Sequence, residues 1–357
     1  MSATSLMLSG LGLITSVGYS VEGSCAAIRC GITRPHSIDG MNVWDPEAER
    51  EVPLVGHPIA GLTDGFQGIG RWFRLGRYAL LDLLRYAHLD LDDASFWRPC
   101  GLIACLPEPN PDRFAFPSEQ AQALPLRLMR ALGLPLLASS VACIEAGPPG
   151  PLMALRLARQ RIAEGTWQRA IILAVDSLVD ESSLRWLKEA RRLKTPERPT
   201  GLMPGEAGAC FLVEPPRHAG ERGEALVGDC TLARPPHTEL PAIRHGQVLS
   251  GAIHDALAGG TRVGDILGNH NGEEARAMAW GTTRLSLPPG ALEAHHAETW
   301  PAVSLGDVGA ASTAVSICVA ARAFTRRYAR NDATLVWCLA DDGTAGACVV
   351  RRNPARS

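Results

Sequence analysis

The sequence predicts an α/β protein made of two halves of similar construction, and three observations carry that reading. Apolar runs of strand length alternate with segments of helical periodicity along most of the chain. The alternation halts at PPRHAGERG (215–223) and then restarts, dividing the chain into units 1–215 and 223–357. At 357 residues and 46% hydrophobic, the chain has the length of about two domains and ample apolar matter for their cores.

The elements follow in order. SLMLSGLGLI (5–14) reads as a first strand and turn, and 19–30 as a helix stopped by Gly31 and Pro35. Residues 74–88 (FRLGRYALLDLLRYA) form an amphipathic helix and 99–105 a buried strand. In the helix at 149–164, Pro149 and Pro151 suit the first turn, and Leu152, Leu155, Ala158 and Ile162 make one apolar face. AIILAV (170–175) is the next strand. The second half reads as a strand near 224–231, helices at 249–258 and 273–280, and a strand at 301–305. A helix at 310–327 and paired strands at 334–340 and 346–351 complete it. Pro-rich stretches at 34–60, 106–125 and 194–204 are excursions from the core.

Composition excludes several classes. A formal net charge of −2 lacks the basic surplus of a nucleic-acid binder. No cationic run precedes the first apolar stretch, and no apolar run is long enough to span a bilayer, so neither a secretory signal nor a membrane segment is expected. The ten cysteines form no CxxC pair and sit in apolar strings such as GLIACL and LVWCLA. They read as reduced core thiols, which places the chain in the cytoplasm with no structural zinc. GLGLITSVG lacks the GxGxxG order, and no Walker or GxSxG string occurs, so no cofactor is expected. The doublets Arg191-Arg192, Arg326-Arg327 and Arg351-Arg352 read as solvated or helix-dipole partners, and His295-His296 as an exposed loop or helix end.

The most specific string is GLMPGEAGACFLVE (201–214). It resembles, without a gap, the GFVPGEGAGALVLE segment of β-ketoacyl synthases, the 3-oxoacyl-carrier-protein synthases of the thiolase fold. The opening LSGLGLITSVG, ALRLARQRIAEGTWQRAIILAVDS, SLGDVGAAS (304–312) and LADDGTAGACVV (339–350) are similar to further segments of that family, in its order. The resemblance implies a thiolase-like fold: duplicated βαβαβαββ halves in a layered α-β-α-β-α arrangement.

The chemistry departs from that pattern. The family uses a cysteine at a strand-to-helix elbow, where the helix N-terminus lowers the thiol pKa and backbone N–H groups bind the oxyanion. Counting back from Gly165 along the matching helix puts Pro148 in that slot, and Ala146 through Gly150 contain no nucleophile. Cys143 lies five residues earlier, about 16 Å along an extended strand. It reads as a core cysteine, because GPPGP (147–151) could not lie inside a helix starting at 144. Of the family's two histidines, His270 in LGNHNGEE (267–274) can be set on the first, whereas Asp307 stands in the slot of the second. Asp341-Asp342-Gly343 replaces the usual Gly-Phe-Gly loop.

Two readings follow. The first is a ketosynthase-like protein without condensing activity that acts as a binding partner. It would be chain-length-factor-like, or an adaptor of the kind found beside type VI secretion genes, whose short NGE and DDG strings look similar. The second is an active 3-oxoacyl-carrier-protein synthase or acyltransferase using Cys143 and His270. Asp307, Asp341, Asp342, Glu273 and His270 could also form an acidic or metal site, but as loop carboxylates they read first as caps of helices and turns. The resemblance implies dimerisation through LPLLASSVAC (134–143) as a buried central strand, in a homodimer or with a true ketosynthase. It leaves room for an acyl carrier protein.

Overall fold

The computed structural model describes residues 5–219, 223–235 and 242–356. In the first half, β1 (Leu6–Thr15) leads through α1 (Val21–Arg29) into a hairpin of β2 (His36–Asp45) and β3 (Arg50–Gly56). Then come α2 (Gly68–Tyr86), α3 (Ala94–Trp97), β4 (Cys100–Leu106), α4 (Ser118–Gln122), α5 (Leu124–Leu132) and β5 (Val141–Glu145). The half closes with α6 (Gly150–Ala163), β6 (Arg169–Ser177), α7 (Glu181–Glu189), β7 (Glu206–Glu214) and α8 (Pro216–Ala219). The second half runs β8 (Ala225–Ala233), α9 (Ala242–Ala256), β9 (Val263–Gly268), α10 (Glu274–Leu285) and β10 (Leu292–Thr299). It ends with α11 (Ala302–Leu305), α12 (Ser312–Thr325), β11 (Ala333–Leu339) and β12 (Ala345–Arg352).

Ten strands form one sheet in the order β10-β9-β11-β12-β8-β1-β7-β6-β4-β5. Read outward from the centre, each half repeats one topology: β1-β7-β6-β4-β5 mirrors β8-β12-β11-β9-β10. In each half the last strand of the sequence, β7 or β12, runs antiparallel to both neighbours. The halves meet through three antiparallel pairs between Leu6–Leu8 of β1 and Ala225–Val227 of β8. This is the duplicated α/β fold that the sequence predicts.

The layers follow from side-chain patterning. α12 is buried on every side from Ser312 to Phe324, Arg322 included, so it lies between the strands of the two halves. It shares that inner layer with α6, and one apolar cluster joins Leu152 and Leu155 to residues of both halves. α2 and α5 cover the outer face of the first half's strands. α9 and α10 cover that of the second.

Several expectations need correction. Residues 301–305 are not a strand: α11 is a helical turn started by Pro301, and the strand is β10, at Leu292–Thr299. β10 contains His295 and His296, so these lie in neither a loop nor a helix end. α2 starts at Gly68 rather than 74, its first turn disguised by Gly68 and Gly70. Strand structure within 134–143 begins only at Val141; the strand it opens, β5, stands at one edge of the sheet with all five residues half-buried. The stretch at 34–60, read as an excursion, is one, and it carries the β2–β3 hairpin.

The string 201–214 owes its character to packing. Glu206 is fully buried and accepts from Ile59 N (2.7 Å), Thr63 Oγ1 (2.6 Å), Ser177 Oγ (2.9 Å) and Arg71 Nε (2.5 Å). A Cβ on Gly205 would collide with the Leu305 carbonyl, so only glycine lets this strand cross that loop.

His57 packs beneath the same loop. It is 1% exposed, and its Nδ1 has no hydrogen-bond partner. Burial, with a smaller push from His36, lowers its pKa to about 4. The unfolded chain therefore takes up a proton near pH 6.5 that the folded chain refuses. Stability is full above that pH and falls as the pH drops toward 4, by up to about 3 kcal/mol. His57→Leu is expected to flatten this part of the pH profile in urea denaturation; an unchanged slope would refute the assignment.

Candidate functional site

The elbow between β5 and α6 is built from three prolines and a left-handed glycine. Gly147 takes φ +59°, which turns the chain sharply after the strand. Pro148, Pro149 and Pro151 have no N–H. The neighbouring donors are used locally: Gly147 N bonds Leu106 O, Gly150 N bonds Gly147 O, and Leu152 N and Met153 N both bond Pro149 O. The first turn of α6 thus presents no free backbone donor. The Pro148 carbonyl accepts from Thr313 Oγ1 on α12 at 2.6 Å, which ties the elbow to the inner layer.

Pro148 lines an open cleft with about 750 Å³ of empty space, whose walls include Glu108, Arg113, Asp176, Asp307 and Asp341. Cys143 and His270 are not among its lining residues. Cys143 packs with the cluster on the outer face of the sheet, while Ala142 and Ile144 face the inner layer, as strand alternation requires. Burial, with help from Glu145, pushes its thiol up to about 12. His270 stacks on Trp300 with ring centroids 5.6 Å apart. Burial and Arg276 lower its pKa. The structure does not assemble these two residues around the cleft.

The carboxylates are bound up with arginines. Arg192 makes a two-pronged contact with Glu273 (2.7 and 2.9 Å) and another with Asp341 (2.6 and 3.1 Å). Arg276 reaches Asp341 at 2.9 Å and also donates to the Leu339 carbonyl. Asn271 bridges Glu273 (2.8 Å) and Asp307 (2.7 Å), and Asp307 also caps Gly309 N at 2.8 Å. The NGE and DDG strings therefore meet at one guanidinium. Burial works to raise the Asp341 carboxyl, but Arg192 and Arg276 together outweigh it and hold it at about 2. On the first-half side, buried Asp176 accepts from Arg113 at 2.6 Å and from Ala310 N at 3.0 Å. Among the described residues no group of three or more His, Cys, Asp or Glu is placed to hold a metal ion.

Glu108 is the exception among these acids. No hydrogen bond holds it among the described residues, and burial, then Asp342 and Asp341, push its pKa up to about 7. Arg113, Asn271 and Arg276 escaped the sequence reading, and Arg192, read there as a solvated or helix-dipole partner, is instead largely buried between two carboxylates. Apart from Glu273, two residues from Asn271, the carboxylates they hold lie 36 to 149 residues away, and only the pairing of loops across the cleft reveals them.

No family model matches the sequence, and no curated protein matches it. Solved structures do. The ishigamide ketosynthase/chain length factor aligns at TM-score 0.70 and 17% identity, over 98% of this chain and 99% of that one. A type II polyketide synthase ketosynthase in complex with its acyl-carrier protein and bound to the hexaketide (AntDE:AntF) aligns at 0.77 and 15%, over 99% and 100%. An oxazolomycin ketosynthase domain from Streptomyces albus JA3453 aligns at 0.74 and 12%, over 98% and 75%. The fold is the thiolase-like fold of ketosynthases and chain length factors.

Proposed function

We propose that this ketosynthase-like chain performs no Claisen condensation and acts by binding, as a chain-length-factor-like partner of an active ketosynthase. The observation that carries this reading is the elbow. Pro148 offers no attacking atom, and the first turn of α6 has no free N–H to stabilise an oxyanion. The electrostatics agree. The cleft-lining arginines Arg113, Arg192 and Arg276 are already paired with carboxylates, so none of these three is free to receive an incoming malonyl carboxylate.

The edge strands support the partner. β10, at one end of the sheet, carries Glu293, His295, His296 and Glu298, and its pairing with β9 is broken by a bulge between Leu292 and Ala297. Such edges resist further pairing. β5, at the other end, is regular, mostly apolar and flanked by Leu137, which is 52% exposed. The similar structures include a ketosynthase/chain length factor and a ketosynthase with its acyl-carrier protein, which makes both of those partners candidates here. The ten unpaired thiols suit the cytoplasm. Among the described residues no helix is long and apolar enough to cross a membrane.

The test is intact-mass measurement after incubation with acyl- and malonyl-carrier protein. No covalent adduct and no decarboxylation are expected. An acyl group on Cys143, or malonyl decarboxylation abolished by His270→Ala, would establish the active reading instead. A homodimer or a secretion-linked adaptor becomes the better reading if no ketosynthase pairs with the chain.

A further inference from the structure

Residues 107–110 form a partition at the end of β4. One side lines the cleft, and the other lines a second hollow with about 550 Å³ of empty space, walled by Trp72, Phe114, Phe116, Ser118 and Glu145. Polar groups here go unmet. Glu108, in the partition itself, makes no hydrogen bond and no ion pair among the described residues. A Cβ on Gly147 would lie 3.6 Å from its Oε1, so the carboxyl is turned toward the elbow. Glu145, at the end of β5, accepts from Ser118 Oγ (2.6 Å) and Gln122 Nε2 (2.8 Å) on one oxygen, and both donors are neutral. Trp72 is 1% exposed, and its indole N–H has no hydrogen-bond partner.

The negative charge around the partition survives a full count. Arg113 is matched by Asp176, and Arg192 and Arg276 by Glu273 and Asp341. Arg234 then stands alone against Glu108, Glu145, Asp307 and Asp342. Four helices begin nearby, α4, α6, α10 and α12, and each adds about half a positive charge. The balance stays negative. An aromatic wall beside unpaired carboxylates suits an organic cation, whose charge meets the acids and whose carbon groups meet the rings. Arg113 already covers the Phe114 ring, at 4.5 Å, so half-buried Phe116 offers the ring that is left.

We propose that the hollow beside the cleft binds a small organic ammonium ion, with Glu108 and Glu145 as its counter-ions and Phe116 against its carbon groups. This goes beyond pairing with a ketosynthase and does not depend on it, because the chain is titrated alone. The experiment is calorimetric titration of the full chain at low salt and about pH 8, where Glu108 is ionised. The probes are choline, ethanolamine and phenethylamine, with neohexyl alcohol as the uncharged isostere of choline. Saturable binding of an ammonium probe, and none of the alcohol, is expected. Glu108→Gln/Glu145→Gln should weaken it at least about tenfold, and Glu47→Gln, in the β2–β3 turn, should leave it unchanged. Neither carboxyl has a paired cation to strand, so the amide variant keeps the fold, and a thermal melt checks this. No saturable binding by any ammonium probe, equal affinity in the double variant, loss in Glu47→Gln, or the alcohol binding as tightly as choline would each overturn it.

Discussion

Arg71→Ala is expected to destabilise the protein by about 3–5 kcal/mol, because it leaves the Glu206 carboxylate buried without its cation. Arg71 is 6% exposed and Glu206 fully buried, so water cannot replace the lost guanidinium. The remaining donors, from Ile59, Thr63 and Ser177, are neutral. Adding Glu206→Gln to this variant should restore part of the loss, since the uncompensated charge is then gone while the amide oxygen still accepts hydrogen bonds. Urea denaturation of the single and double variants measures both effects. A loss below about 1.5 kcal/mol in Arg71→Ala would show the pair to be dispensable.

Association through β5 is expected to fail, with affinity for the ketosynthase falling at least about a hundredfold, when Leu137→Asp and Val141→Lys are combined. A charged side chain on an edge strand must be desolvated when another strand docks beside it. The matching change on the far edge, His295→Lys in β10, should leave association intact. Light scattering and titration of the purified chains distinguish these results. Unimpaired pairing of the β5 variant, or loss in the β10 variant, would move the interface elsewhere.

Much of the fold was legible because buried strands and buried helices advertise themselves. β4 and residues 170–175 of β6 are continuous apolar runs, and α12 is mostly apolar and buried on every side. The misreadings fall where a segment's composition contradicts its place. LEAHHAET forms a strand although it is polar, because β10 is bonded on one side only and faces solvent. AVSL looks like a strand by composition, yet Pro301 starts a helical turn. At the site, the proline elbow could be counted from the helix that follows it. The arginine lattice could not, since Arg192 and Asp341 become neighbours only when the two halves close on each other. The most family-like string proved to be scaffold, with Glu206 bonded entirely to the interior.

The run of prolines at the head of α6 has a consequence for engineering. Pro148→Cys would add a thiol and one amide hydrogen, but Pro149 and Pro151 beside it would still lack theirs, and the Leu152 and Met153 amides would still be spent on the Pro149 carbonyl. Equipping this turn with a reactive sulfur therefore asks for several coordinated replacements rather than one.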